Sequence, residues 1–487
     1  MPIKLYNTLS NTKENFVPIE EGKVRLYLCG PTVYDLLHIG NFRGAIFFNL
    51  VRNWFELSGN EVTYVYNYTD VDDKIIKKAN EEGVDATVIS ERFIAEFEKD
   101  FNRLGLKKHT HNPKVTEFMD EIISYVETLV KNDKAYVIDG EVFFSIDNFP
   151  EYGKLSNKNL DDLQAGQRVE VDSRKRNPYD FVLWKPSKEG EPHWTSPWGE
   201  GRPGWHIECS AMIKSILGNT IDIHGGGIDL IFPHHENEIA QGEGCNCEKY
   251  CNYWMHNEFI NMKDEKMSKS IGNVITGRSF MDQYHPEILK FLMFSAHYRS
   301  VLNMSDDKIH QSISGLRRVY DALSHALVIE NTFNESENGK VNKTFAQLLK
   351  TSDAKIKKAL DDDFNTGETV AAIFEVVRAF NALNLLKKQK DPNSLPTTKA
   401  FKEWILKYGD MLALFKEEPT SFLADIDQIM IKEKNIDIAI VEALIKSREE
   451  ARANKDWAAA DVARDELHAM GIDFQETSDG VKWNVKV

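Results

Sequence analysis

The chain has 487 residues, 42% apolar and 28% charged, which suits a soluble globular protein of about three domains. Its net charge of −16, from 60 Lys and Arg against 76 Asp and Glu, argues against a broad nucleic-acid-binding surface, because phosphate binding draws on clustered cations. No stretch approaches the ~18 apolar residues of a membrane span, the start MPIKLYNTLS has no apolar signal core, and five scattered cysteines make no disulfide framework, so a reducing, cytoplasmic setting without a membrane partner is expected.

The first part alternates strand-like and helix-like segments. Val24–Cys29 reads as a strand, Asn41–Leu57 as a helix, and Val62–Tyr68 as a second strand, followed by helices over Asp70–Glu82 and Ser90–Leu104. This spacing predicts a parallel, doubly wound α/β sheet, whose ligand crevice would lie at the strand ends near Cys29 and Gly30. From about Lys107 to Glu200 the pattern changes. A helix over Val115–Val130, a hairpin turn at Asp139-Gly140, and a Pro, Gly and Trp-rich loop over Lys185–Gly204 suggest an insertion that splits one nucleotide-binding fold. The second half resumes with a helix over Ile207–Ile216 and a strand over Thr220–His224. After about Gly277 helical periodicity takes over. Asn331–Asn342 reads as a linker, Asn365 and Glu368 as the cap of a helix with the stripe Val370, Ile373, Phe374, Val377 and Phe380, and Lys416–Phe422 as a second boundary. Two tail helices follow, over Asp437–Ala453 and Asp456–Met470, the second ending at Gly471.

Three segments carry chemistry. In CGPTVYDLLHIGN, from Cys29 to Asn41, His38 and Gly40 sit at a strand-to-helix junction, where a helix N-terminus favours a phosphate. In KMSKS, Lys266 and Lys269 set two positive charges in a polar loop, suited to charge developing on a departing pyrophosphate. Any Lys-rich pentapeptide is more often a solvated loop, but the two motifs in this order on a strand-alternating chain are far less often accidental. In HGGGIDLIFPHHENE the three glycines allow a nucleotide close to the backbone, and Asp229 is placed to accept from ribose hydroxyls. His234 and Glu238, four apart, share one face of a helix, a metal-ligand spacing. With Cys29 and Cys209 they would complete a two-sulfur, one-nitrogen, one-oxygen set for tetrahedral zinc, although nothing local ties the four together. Two patterns fail their context tests. GEGRPG matches a dinucleotide fingerprint formally, but follows Ser-Pro-Trp rather than an apolar strand. Cys245, Cys247 and Cys251 lack the matching second pair of a zinc site and read as incidental.

The segments LCGPTVYD, NYTDVDDKIIKKANE, KRNPYDFVLWK, GRPGWHIECSAM, DIHGGG, FPHHENEIAQ, YWMHN, EKMSKS, HYRS, DDDFN and KDWAAAD together resemble the bacterial cysteinyl-tRNA synthetase family of class I aminoacyl-tRNA synthetases, nearly end to end. The resemblance implies a Rossmann-like catalytic domain with an insertion, followed by a mostly α-helical C-terminal half. It divides the chain into a first catalytic half (1–110), a connective insertion (111–200), a second catalytic half with the KMSKS loop (201–276), a stem-contact region (277–330), a helical bundle (331–418) and a small anticodon-binding domain (419–487). It implies zinc on Cys29, Cys209, His234 and Glu238. His38, Gly40 and Asn41 would be catalytic and contact ATP, with Gly226 and Asp229 beside the adenosine. Lys266 and Lys269 would act on the pyrophosphate, Lys269 also binding ATP, and Trp205 would line the cysteine pocket. Asn41 departs from the family's HIGH signature, which has histidine there; an amide can still donate to an oxygen, but a strictly ionic role is put in doubt.

The expected reaction is ATP-dependent activation of L-cysteine, with Mg2+ alongside ATP, and transfer to tRNA(Cys) by a monomer. Two other readings are a cysteine ligase acting on an amino sugar, which would lack the C-terminal domain, and a non-catalytic tRNA-binding paralogue, which would have lost signature residues. The segment Phe259–Tyr320 holds nine Lys and Arg against six Asp and Glu. A narrow basic track is therefore expected there on an otherwise acidic body.

Overall fold

Two runs rich in β-branched and aromatic residues, KVRLYL and EVTYVY, form parallel strands β1 (Lys23–Leu28) and β2 (Glu61–Tyr66). The helix joining them, α1 (Ile39–Leu57), is apolar almost all the way round and is correspondingly buried on most faces. The same sheet resumes much later with helix α2 (Trp205–Leu217), strand β3 (Ile221–Gly227), helix α3 (Glu236–Asn246) and strand β4 (Cys251–Asn257). All pairs are parallel in the order β4-β3-β1-β2. The chain winds outward from β1 to β2 and then returns to the other side of β1. The topological switch therefore falls between β1 and β3, where an open sheet offers a crevice to ligands. The structure is a computed structural model and describes residues 2–158, 172–262, 265–266 (backbone only), 275–334, 338–477 and 480–486.

The intervening region folds as a five-stranded antiparallel sheet. The stretch expected as a loop over 185–204 instead supplies the end of one strand, Phe181–Pro186, and two more, Trp194–Ser196 and Gly199–Pro203. Its glycine content reflects packing. A Cβ at Gly201 would come 2.4 Å from Nε1 of the fully buried Trp184, so only glycine lets that strand pair here.

Beyond the sheet the chain is helical, with Asp306–Thr332, Lys343–Leu360, Thr366–Leu383, Ser394–Leu412 and Pro419–Glu433 packed together. Asn365 caps its helix by accepting from the Glu368 N–H at 3.2 Å. Among the described residues this helix alone is long and apolar enough to cross a membrane. Its buried face joins the bundle core, where Phe380 stacks on Phe401 at 3.9 Å. Phe422 is likewise fully buried, stacked on Tyr320 at 3.8 Å. In the tail, Asp437 and Asp456 cap helices Ile438–Ala453 and Trp457–Ala469. A hairpin follows, Ile472–Thr477 with Gly480–Val485, which the helical reading of the tail missed. Its signal was the alternation of Ile472 and Phe474, and of Val481, Trp483 and Val485.

The DDDFN segment locks the bundle to the catalytic half. Asp363 is fully buried, and its carboxylate accepts from Tyr6 N at 2.9 Å, Tyr298 Oη at 2.6 Å and Arg299 Nε at 2.9 Å. Asp363→Ala would strand those donors and is expected to cost about 3–5 kcal/mol in urea unfolding. A loss below about 1 kcal/mol, the worth of an exposed pair, would contradict this account of the junction.

Candidate functional site

A cavity of about 380 Å³ opens at the switch point, within the size range of small-ligand sites. It is walled by Cys29 and Gly30 after β1, by His38, Gly40 and Asn41 at the start of α1, by Gly226 and Gly227 at the end of β3 with Asp229 beyond them, and by residues 257–260 from the end of β4 onward. Segments more than 200 residues apart in sequence thus meet in one place. His38 is the N-cap of α1, and its N–H donates to Asn41 Oδ1 at 3.2 Å. Asn41 therefore closes the helix terminus with its amide oxygen and keeps its NH2 as a donor, a role that needs no charge.

The three glycines of HGGG divide the labour. A Cβ on Gly225 would lie 2.2 Å from Phe48 Cζ, so this glycine serves the tight crossing of α1 over β3 rather than a ligand. Only Gly226 and Gly227 reach the cavity.

A small sheet carries the KMSKS segment. Strand β5 (Ile260–Met262) pairs antiparallel with β6 (Glu265–Lys266) and parallel with β7 (Leu302–Met304). The backbone of Lys266 is thereby placed opposite Asn261, while its side chain, and the whole of Lys269, lie outside the described residues. The far end of the segment returns to the start of α1. Ile39 N donates to Ile275 O at 3.1 Å, and Gly277 N donates to Leu37 O at 2.8 Å.

Beside the cavity four side chains converge. Cys29 follows β1, Cys209 lies in α2, and His234 and Glu238 stand before and within α3. Their donor atoms all lie within 4.8 Å of one another. Cys29 Sγ is 3.8 Å from Cys209 Sγ, 3.5 Å from His234 Nε2 and 3.5 Å from Glu238 Oε1. Cys209 Sγ to His234 Nε2 is 3.7 Å, and His234 Nε2 to Glu238 Oε1 is 3.1 Å. Ordinary zinc bond lengths set at tetrahedral angles give edges of about 3.8 Å between sulfurs, about 3.5 Å from sulfur to nitrogen and about 3.3 Å from nitrogen to oxygen. The set fits such an ion.

A second shell, unforeseen from the sequence, orients these donors. His224 Nε2 and Tyr250 Oη each approach Glu238 Oε2 at 2.9 Å, and His206 Nδ1 faces His234 Nδ1 at 2.9 Å. His235 sits 3.4 Å from Cys29 Sγ and hands its other nitrogen to His256 at 2.8 Å. Cys29, His224, His235 and Glu238 also lie close enough to hold a metal, but His224 is already engaged with Glu238, as an orienting partner would be. Trp205 stacks on His234 at 4.3 Å and is 41% exposed, so its ring borders the cluster and solvent together. Cys245 and Cys251 are buried and Cys247 exposed, and among the described residues none joins a metal-holding group.

Charge follows contact. The Cys29 sulfur, with His234, brings the Cys209 thiol down to about 6 against the effect of burial, whereas burial and Cys209 push Cys29 well up. Burial would lower His234, but Glu238 and Cys209 outweigh it and lift the imidazole to about 10. Burial likewise opposes ionisation of Glu238, yet His224 and His234 hold its carboxyl well below the usual range. The cluster thus holds a proton on nitrogen beside anionic donors, the state that exchanges protons for a cation.

The expected basic track is narrower than its nine cations suggest. Arg278 is paired with Asp100 at 2.9 Å and with Glu96, Arg299 with Asp363 at 2.9 Å and Arg317 with Asp427 at 2.5 Å, while Lys290 is buried against the carbonyls of Leu104 and Ala413.

A split parallel sheet with a cavity at an HIG-type helix start, in a chain that also carries a KMSKS segment, defines a class I aminoacyl-tRNA synthetase. A family model described as "tRNA synthetases class I (C) catalytic domain" matches residues 15–314, a DALR domain matches 355–416, and a "Cysteinyl-tRNA ligase anticodon binding domain" matches 439–483. The chain belongs to the cysteine–tRNA ligase family. It is 50% identical to the Cysteine--tRNA ligase of Bdellovibrio bacteriovorus over 99% of both chains, and 46% identical to that of Geobacter sulfurreducens over 100% of both. In fold it is similar to Mycobacterium tuberculosis methionyl-tRNA synthetase in complex with methionyl-adenylate (TM-score 0.60, 14% identity, 82% of this chain and 93% of that one). It is also similar to a putative arginyl-tRNA synthetase from Campylobacter jejuni (TM-score 0.52, 13% identity, 82% and 94%).

Gly225→Ala is expected to lower the unfolding free energy by about 1–3 kcal/mol through overpacking against Phe48. An unchanged urea midpoint would show that α1 does not cross β3 this closely.

Proposed function

We propose that the chain joins L-cysteine to the 3′-terminal adenosine of tRNA(Cys) by way of cysteinyl-adenylate, with ATP and Mg2+ in the switch-point cavity and zinc on Cys29, Cys209, His234 and Glu238. The observation that carries this reading is the match of the four-donor edges to a tetrahedral ion directly beside that cavity. In the first step a cysteine carboxylate oxygen attacks the α-phosphorus in line, and the bond to the bridging oxygen of pyrophosphate breaks. The positive end of the α1 dipole attracts phosphate, and His38 donates to a phosphate oxygen. Lys266 and Lys269 neutralise the charge growing on pyrophosphate, and Asp229 and Gly226 hold the adenosine. In the second step a terminal ribose hydroxyl attacks the acyl carbon and AMP leaves. The enzyme's work is positioning and charge neutralisation, with Trp205 as a wall of the amino-acid pocket.

Serine differs from cysteine by one atom, and a pocket that only excludes by shape separates such near-isosteres by about 10²-fold. Bound zinc would supply a soft Lewis acid that prefers a thiolate to a hydroxyl. The protein's part is to bring the four donors together beside the cavity that Cys29 also lines. The match over 439–483 supports tRNA over an amino sugar as acceptor, and retention of His38, Lys266, Lys269 and all four donors supports catalysis over a silent paralogue.

Purified protein is expected to hold one zinc per chain. Cys209→Ser should lose most of it, and with it most of the preference for cysteine over serine in ATP–pyrophosphate exchange. Full cysteine preference in a zinc-free Cys209→Ser protein would refute metal-based selection. Lys269→Ala should slow adenylate formation about 10²-fold, the usual worth of one positioned charge at a developing anion; a wild-type rate would remove the loop from the chemistry.

A further inference from the structure

Arg43 lies on α1 two residues beyond Asn41 and is only 2% exposed. A buried guanidinium is normally met by a carboxylate. This one is met by four backbone carbonyls. Nη1 donates to Glu258 O at 2.9 Å and Phe259 O at 2.5 Å, and Nη2 donates to His297 O at 3.2 Å and Ser300 O at 2.6 Å. Burial pulls its pKa down to about 10, which leaves it charged at neutral pH.

The four carbonyls mark two roots. Glu258 and Phe259 line the cavity and run directly into β5, and Ser300 stands two residues before β7. Strands β5 and β7 pair with each other, and β6, which carries Lys266, hangs on β5. One side chain on the phosphate-facing helix therefore fixes both stems of the sheet from which the KMSKS segment springs. Lysine cannot replace it: an ammonium has three donors on one atom, whereas the guanidinium fork presents donors in two fixed directions.

The geometry points to Arg43 as a positioning residue that sets the KMSKS lysines against the phosphates held at the start of α1. It rests on the proposed action of Lys266 and Lys269 on pyrophosphate. Its contribution is geometric, because a displacement of about 1 Å away from the chemistry can cost as much as 10²-fold in rate.

The test is a double-mutant cycle in single-turnover adenylate formation, normalised to active sites by burst titration, with Arg43→Lys, Lys269→Ala and both together. Arg43→Lys is expected to keep wild-type circular dichroism and a cysteine KM within twofold, because none of the four sulfur, nitrogen and oxygen donors is a partner of the guanidinium, while the rate per site falls at least 10-fold. In the Lys269→Ala background the same substitution should cost clearly less than in the wild-type background, since part of its effect acts through Lys269. A wild-type rate per site in Arg43→Lys, or losses that multiply in the double variant, would overturn the assignment. A wild-type rate in Lys269→Ala alone would instead strike the loop assignment on which this one rests. Arg43→Gln, which keeps two donors, is the second variant. If neither substitution yields folded protein, Arg43 is a structural residue only and the inference fails.

Discussion

A carboxylate with no solvent exposure dominates this structure. Glu238 is fully buried, and an unpaired charge in such a place is prohibitively costly. Its two oxygens are met by His224, Tyr250 and His234, and the third of these brings the sulfurs of Cys29 and Cys209 with it. Meeting that one requirement fixes the ends of β1 and β3, the entry to α3 and the middle of α2 relative to one another. The proposed amino-acid pocket is thus built from the same contacts that make the charge tolerable. A metal ion held there would displace protons from the donor set.

The nucleotide side obeys a different constraint, backbone proximity. Gly225 lets α1 press onto β3, and Gly226 and Gly227 line the wall of the cavity. The two termini of the KMSKS segment are both referred to α1, one through hydrogen bonds at Leu37 and Ile39 and the other through the guanidinium of Arg43. The helix proposed to receive phosphate is therefore also the reference for the loop proposed to act on it. Asp363 extends this frame to the bundle, because the turn 297–300 that Arg43 holds also feeds Tyr298 and Arg299 into its carboxylate.

Much of this was legible in the sequence, where local pattern and chemistry agree. The strands around Leu26 and Tyr64 are apolar runs of the right length, and the His234–Glu238 spacing places both on one helical face. What could not be read lies in contacts between distant segments. His224, Tyr250 and His256 are ordinary residues of strand-like runs until the sheet brings them to the cluster. Gly201 reads as loop until Trp184 is beneath it, and Gly225 as a ligand-facing glycine until Phe48 is. Arg43 gives no sign of its role in the sequence, because backbone carbonyls as partners leave no trace there. The net charge of −16 misled in one direction and informed in another. It hid a nucleic-acid partner, and the inward pairing of Arg278, Arg299 and Arg317 leaves recognition to few cations.

Under the proposed function, the four-donor site reads the substrate's sulfur. Zinc-edge X-ray absorption on the purified protein, with and without saturating L-cysteine, tests it most directly. The account predicts two sulfur and two nitrogen or oxygen neighbours in the free protein, and a third sulfur when cysteine is added but not when serine is. A sulfur count that stays at two with cysteine bound would contradict it.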